Sequence, residues 1–518
     1  MSAQPSSYDA IPYLSRPFRE SRPERLQAVA ALFGLACAAP ERCRVLEIGC
    51  SMGGNLMPMA VDHPGSQFLG IDASSRQIAE GWKTVERLGL KNLQLRQLDI
   101  LDVERDLGEF DYIVSHGVFS WVPARVQAKM LEICQRHLAP NGVAYISYNT
   151  YPGWHIRGIV RDMMLYRGAQ FADPAARLAQ AKSLVGFVAQ ATRGGDTPYT
   201  RLLQNELNQM SHMEDYYLHH DHLEEHNEPV YFHEFARRLA VNGLQYLGEA
   251  DFSMMVSTNF SPEVAKTLHE LGAHDILQME QYMDFVRCRY FRKTLACRSG
   301  IRLNRLLTAS VVNGFWLASN AAPAGEADLA SGAAVTFSTP GGDSITCKSP
   351  LTKMALRTLC ERWPMPVTFE ELTALCKADE AGARFLASEV LTCMAAGVVE
   401  WRLSPVPYTV ELGPRPATTA LARLDAEQGY RVTSLRGESV TLDEFHRQVL
   451  RLLDGTRTRD ALAEALMAMC RRGELILHRD GADKAPVRDE AEMRALLGPA
   501  LGKALDNLAK KALLATRA

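Results

Sequence analysis

Between residues 45 and 147 short apolar runs alternate with amphipathic stretches. The run that begins at Val45 closes on Glu47-Ile48-Gly49, the run Gln67–Asp72 ends on an acid, Leu93–Leu98 is followed by Asp99, and Phe110–Ser115 and Val143–Ser147 complete the set. Residues 75–88 and 122–138 between them carry helical periodicity, the second ending at the turn Ala139-Pro140-Asn141-Gly142. Five such alternations predict an α/β fold with a doubly wound, Rossmann-like parallel sheet. Residues 154–228 then read as one long helical stretch, and the pattern resumes with a helix at 233–242, a sixth strand at 243–250 and a seventh at 294–298. Residues 170–228 are therefore expected to be a helical insertion.

The remaining third repeats a theme. Leu351–Glu361, Thr368–Cys376 and Ala381–Ala396 read as helices before a strand at Val398–Leu403, and Leu442–Leu453, Thr458–Cys470 and Met493–Leu513 give three more. Two winged-helix-like modules follow from this order, with 320–343 as loop. The expected organisation is 1–169 arm and core, 170–228 insertion, 229–300 remainder of the core, 301–405 middle module and 406–518 C-terminal module.

Candidate chemistry sits at the strand tips. A dinucleotide fingerprint needs G-x-G-x-x-G for close approach of a pyrophosphate, but Ser51 stands between Gly49 and Gly54 where the middle glycine belongs. Glu47, placed where a phosphate would lie, favours a ligand with a cationic end, and S-adenosyl-L-methionine carries a sulfonium and an α-ammonium. Asp72 can accept two hydrogen bonds from a ribose diol, and Asp99 can take the adenine amino group while Ile100 packs on the ring. The expected cofactor lining is Glu47, Gly49, Cys50, Ser51, Gly53, Gly54 and Asn55 of the first loop. It continues through Asp72, Ala73, Ser74 and Gln77, then Asp99 and Ile100, and then Ser115, His116, Gly117 and Trp121. Cys50 is read as a small packing residue rather than a nucleophile. An arm rich in proline and aromatics, residues 8–23, is expected to lie across this cleft with Tyr13 and Ser15 as contacts, or else to pack on the surface.

Acceptor-side candidates follow the fifth strand in Tyr148-Asn149-Thr150-Tyr151-Pro152-Gly153-Trp154-His155. Asn149 offers a carbonyl that can align an amine, Tyr151 and Trp154 can wall a narrow slot for a cationic stem, and His116 and Tyr151 are candidate proton acceptors. These aromatics can equally staple the turn to the next helix. His220 and Glu225 are expected to border the substrate cleft. His222 and His226 stand one helical turn apart near Glu225, but histidines this dense on a polar helix read as a solvated face, so no metal is expected.

Glu47, Gly49, Gly53, Asp72 and Asp99 in register with five strands resemble the class I S-adenosylmethionine-dependent methyltransferases. The turn YNTYPGWH, the arm's Tyr13-Leu-Ser-Arg-Pro-Phe18, HLEEHNEPVYFHEF and GLQYLGEA further resemble bacterial methyltransferases that carry a methyltransferase regulatory domain, among them rickettsial outer-membrane-protein lysine methyltransferases. That resemblance is dense from residue 8 to 300. It implies a seven-stranded core, inserted helices that dimerise, a middle domain and a C-terminal winged helix. It further implies transfer of methyl to lysine amines of a bacterial protein, without fixing the target.

Composition adds boundaries. The chain has 518 residues, 57 Lys+Arg against 60 Asp+Glu, and 47% hydrophobic content, which gives ample core and no global charge for nucleic acid or membrane binding. In the last module Arg447, Arg451, Arg457 and Arg459 interleave with Asp443, Glu444, Asp454 and Asp460, so protein contact is expected there rather than DNA. Eleven cysteines without a C-x-x-C pair point to reduced thiols and a cytoplasmic location, and no run reaches the roughly 18 apolar residues of a membrane span. Apolar spacing from Ala176 to Ala191 suits a homodimer or packing within the chain. Three alternatives stay open: a Rossmann-like domain for another nucleotide, a small-molecule N- or O-methyltransferase, and a non-catalytic scaffold that binds S-adenosylmethionine.

Overall fold

A computed structural model describes residues 15–104, 106–272, 275–478, 486–487 and 489–516. Seven strands, β1 Arg44–Ile48, β2 Gln67–Asp72, β3 Leu93–Gln97, β4 Phe110–Ser115, β5 Leu138–Asn149, β6 Leu244–Glu249 and β7 Phe291–Arg298, form one sheet in the order β3-β2-β1-β4-β5-β7-β6. The first five are parallel and β7 runs antiparallel between β5 and β6. Strand order reverses at β1, so the chain crosses to the other half of the sheet there and leaves a crevice at the strands' carboxyl ends.

The central strands are apolar on both faces because helices cover both. Val45, Val114 and Tyr145 face one core, and Leu46, Ile113 and Ile146 face the other. The first core continues without a break through Val312, Phe315, Leu317, Leu356 and Trp401, so the middle module is packed onto the same hydrophobic mass. The helix Pro23–Leu32 lies at this junction, where its Ala28 carbonyl accepts from the Trp401 indole at 3.2 Å.

Two local readings need correction. The stretch 154–228 is four helices, Gly153–Gly168, Pro174–Ala191, Pro198–Ser211 and Asp215–Leu223. It breaks at Pro174 and Pro198, which cannot continue a helix but suit its first turn, each preceded by a capping Asp173 or Thr197. These helices enclose a small core of their own around Met164, Leu178, Val185 and Leu203. The segment 320–343 is not all loop, because Val335–Ser338 pairs with Ser344–Cys347 and with Ala322–Pro323.

Two further helices, Pro262–Gly272 and Ile276–Arg287, precede β7, and the second of them, with β6, holds β7 through charge. Arg292 of β7 is fully buried and meets Glu249 Oε1 at 2.7 Å, Asp284 Oδ2 at 2.8 Å and Glu280 Oε2 at 3.0 Å, while Arg289 adds a contact to Glu249 at 3.0 Å. The C-terminal module has a separate core built by Ala420–Gln428, Glu444–Leu452, Arg459–Arg471 and Glu490–Lys510. Among the described residues no helix is long and apolar enough to cross a membrane.

Candidate active site

A cavity of about 570 Å³ opens at the carboxyl ends of β1, β2, β4 and β5. Its floor depends on Gly49, whose φ is +75° and whose Cβ, if present, would lie 2.4 Å from Val118 Cγ2; only glycine lets the loops after β1 and β4 approach this closely. Asp72 ties the loops together. Its Oδ2 accepts from Ser51 N and its Oδ1 from Ser74 N, both at 2.9 Å, which fixes the carboxylate at the cavity wall. Asp99 accepts from Leu101 N at 2.8 Å and stands at the exposed rim beside Ile100.

Glu47 is the deepest of the three acids. Its Oε1 accepts from Asn55 Nδ2 at 2.8 Å, whereas its buried Oε2 has no hydrogen-bond partner among the described residues. Burial, with a smaller contribution from the charge of Asp72, pushes its carboxyl up to about 8. A cation entering the cavity would relieve both conditions, so the donor set fits the α-ammonium of S-adenosylmethionine better than any anion.

The described part of the arm, from residue 15, crosses this cleft. Ser15 Oγ accepts from Gly54 N at 2.8 Å, Phe18 N donates to Asn55 Oδ1 at 2.8 Å, and Glu20 meets Lys293 of β7 at 2.5 Å. The Phe18 ring stacks on His116 with centroids 3.6 Å apart. On its other side the arm is anchored by Arg16 to Glu214 at 3.0 Å and by Arg19 to Glu400 and Glu438.

Of the residues expected from sequence, the cavity brings together Ser15, Glu47, Gly49, Cys50, Ser51 and Asn55. It adds Asp72, Ala73, Gln77, Asp99 and Ile100, and on the far strands His116, Gly117, Trp121 and Asn149. Tyr13 lies outside the described residues. Gly53, Gly54, Ser74 and Ser115 do not line it. A Cβ on Gly53 would press on Leu95 and one on Gly54 on the Ser15 backbone, Ser74 caps the helix Ser75–Leu88, and Ser115 is buried in β4.

Three acceptor-side assignments change. Trp154 is buried behind the wall, edge-on to Trp121 at 6.0 Å, so it supports the slot and Trp121 forms it. Tyr151 turns away from the cavity, stacked on His155 at 4.1 Å and beside Tyr231 at 5.2 Å. His116 lines the cavity but is a poor proton acceptor. Burial, then the charge of Lys293, pushes it down to about 3, and its Nδ1 lies 2.8 Å from the Tyr145 hydroxyl, which burial keeps protonated and donating. Asn149 lines the cavity, and its Nδ2 donates to Asn227 Oδ1 at 2.8 Å, so its side-chain carbonyl takes no part in that bond.

His222 and His226 do not share a helix face, because the helix ends at Leu223. His219, His220 and Glu224 do come within 4.8 Å of one another. Glu224 Oε1 lies 2.7 Å from His220 Nδ1, and Arg161 and Arg177 bind the carbonyls of Glu224 and Leu223 at the same helix end, a field that disfavours a cation. His220 does border the cavity, and Glu225 is not part of its lining. Sequence reasoning missed Phe18, Glu20, Arg157, Tyr217, Asp221 and Lys293, which lie far from the strand-tip motif along the chain. The only local signal was the polar–aromatic density of the arm and of residues 216–222.

This sheet order and these strand-tip acids define a class I S-adenosylmethionine-dependent methyltransferase. Residues 46–144 match the family described as "Methyltransferase domain", residues 214–298 "Predicted methyltransferase regulatory domain", and residues 414–513 "PKMT, C-terminal winged helix domain". The uncharacterized protein RP789 of Rickettsia prowazekii is 35% identical over 98% of this chain and 94% of its own length. A second protein of that organism, RP028, is 41% identical over 45% of this chain and 93% of its own length. The solved structure of PKMT2 from Rickettsia typhi in complex with AdoHcy superposes with a TM-score of 0.87 at 29% identity, covering 97% of this chain and 100% of that one. The chain therefore belongs to the family of these rickettsial proteins, methyltransferases with a regulatory domain and a PKMT-type winged helix, and its cofactor is S-adenosylmethionine.

Proposed function

We propose that the chain methylates lysine side-chain amines of a bacterial protein, with an outer-membrane protein as the target class. The observation that carries this reading is the make-up of the acceptor half of the cavity, a slot whose lining brings together Asn149, Trp121, Tyr290, Phe291 and Asp221. A slender cationic stem suits such a slot, since aromatic faces and carbonyl oxygens both attract ammonium. The resemblance to lysine methyltransferases and the PKMT winged helix support it, as does the AdoHcy bound by the R. typhi protein.

When bound, S-adenosylmethionine supplies the electrophilic methyl. Glu47, Asp72 and Asp99 would hold it, Phe18 and Trp121 would exclude water, and Asn149 would orient the amine nitrogen for in-line approach. A lysine has a pKa near about 10.4, so desolvation and the adjacent positive charge must favour its neutral form.

Two associations belong to the same reading. Exposed Tyr166, Phe187 and Tyr199 on the inserted helices suit a homodimer, and eleven free thiols suit a reducing cytoplasm. The test is incubation with methyl-labelled cofactor and host lysate, followed by gel autoradiography and hydrolysis to amino acids. Labelled ε-N-methyllysine in protein bands is the expected result, and label only in small molecules, or none, overturns it.

A further inference from the structure

Most acids in the cavity are already engaged, but one is not. Glu20 is paired with Lys293, Asp72 with two backbone amides and Glu47 with Asn55. Asp221, in the helix Asp215–Leu223, lines the same cavity and makes no hydrogen bond or ion pair within 4 Å among the described residues. It comes from the inserted helices, not from the strand tips that form the cofactor side. Its neighbours in the lining are Asn149, Tyr217, His220, Arg157 and Tyr290.

Resting on the lysine reading above, we propose that Asp221 is a catalytic residue that receives the substrate ammonium and takes its proton before methyl transfer. The geometry has two parts. Tyr217, one helical turn back on the same face, shares the acid's surroundings, and the Asp221 charge is the main reason its own phenol is pushed up. Asn149 lines the same cavity, and because its Nδ2 donates to Asn227 Oδ1 at 2.8 Å its side-chain carbonyl is left as an acceptor. An ammonium entering this cavity would find a carboxylate and an amide carbonyl in a lining that also holds the rings of Trp121 and Tyr290.

The charged and titratable groups around Asp221 explain its basicity. Burial pushes its carboxyl up to about 6, while Arg157 first, then His220 and Arg161, pull it down. Arg157 is itself occupied, with its guanidinium 4.5 Å from the Tyr290 ring centroid and donating to Gln209 at 3.1 Å, so the acid remains for the substrate. A carboxylate raised this far is a better proton acceptor than an ordinary surface acid, and the adjacent sulfonium makes the ammonium a stronger acid.

The step balances. An N–H bond of the substrate ammonium breaks as an O–H bond forms on Asp221, and the nitrogen keeps the electron pair. That pair forms the N–C bond as the C–S bond breaks, with its pair staying on sulfur. The proton on Asp221 then leaves to water.

The test uses the full chain saturated with AdoHcy and titrated calorimetrically with n-butylamine, alongside kcat/KM on a lysine-bearing protein across pH 5–9. For Asp221→Asn the expected result is a loss of amine affinity of at least about tenfold with AdoHcy affinity unchanged, and loss of the acid limb near the Asp221 pKa. Asp221→Glu should recover part of both, and it serves if the Asn variant folds poorly. Unchanged butylamine affinity and pH profile in Asp221→Asn, with wild type still forming methyllysine, overturn the role of Asp221 alone. A wild type that forms no methylated protein amine overturns the proposed function itself. Transfer to free lysine alone, with no methylated protein amine, counts against the protein substrate.

Discussion

The Phe18 ring lies flat against His116, with centroids 3.6 Å apart and planes inclined by 22°. A residue ahead of the first helix thus covers a side chain at the tip of the fourth strand and closes the cavity from above. Burial is the main cause of the low basicity of His116. Phe18→Ala admits water to the ring and should raise its pKa by at least about one unit, read from the imidazole proton shifts in an NMR titration. No shift would show that the arm does not control solvation there.

Glu47 is expected to release a proton when the cofactor binds. Its carboxyl stands near 8 in the unliganded fold, above the ordinary value of 4.5, so a cation beside it converts it to carboxylate. Calorimetry at pH 7 in buffers of differing ionisation enthalpy should record up to about one proton released, and affinity should rise with pH towards 8. The same shift acts on stability: between the unfolded and folded values the native chain holds a proton that the unfolded chain has lost. Unliganded stability therefore falls as pH rises through that window. Glu47→Gln should remove this fall while abolishing tight binding.

Asp72 and Trp154 should separate binding from packing. Asp72→Ala removes the acceptor for the Ser51 and Ser74 amides and the ribose, and should weaken AdoHcy affinity by about 10–100-fold. Trp154→Ala empties a buried site behind Trp121 and should cost about 3–5 kcal/mol of stability in urea unfolding, with AdoHcy affinity nearly unchanged. Equal stability of wild type and Trp154→Ala would contradict the buried placement.

Arg292→Leu should be severely destabilising. It leaves Glu249, Asp284 and Glu280 buried without their common partner, a loss of about 3–5 kcal/mol by chemical denaturation. Arg357, paired with Glu361 on an exposed helix face, is the control; Arg357→Ala should change stability by less than about 1 kcal/mol.

The cofactor half of the site was legible because each of its acids lies at or within two residues of a strand's carboxyl end. An apolar run and the acid that follows it are contiguous, and after Glu47 so are the glycines of the first loop, so Glu47, Asp72 and Asp99 declare their position through local pattern alone. The acceptor half was only partly legible. The pattern offers Trp154 either as a wall of the slot or as a staple of the turn, and the structure, with the helix beginning at Gly153 and the indole buried, shows it behind the wall. His116 looked like a base, and only its enclosure by Phe18 and Tyr145 shows otherwise.

Hydrophobic alternation and turn residues by themselves determined a doubly wound parallel sheet and the tips that hold three acids, since those features depend on neighbours within a few residues, whereas the strand order β3-β2-β1-β4-β5-β7-β6 came from the tertiary structure. Tertiary structure alone decided that Glu20 would meet Lys293 and that Asp221 would look into the same cavity as Asn149. Those partners are brought together by packing of the arm and inserted helices over the sheet, and their burial, not their residue type, sets their charge and hence their chemistry.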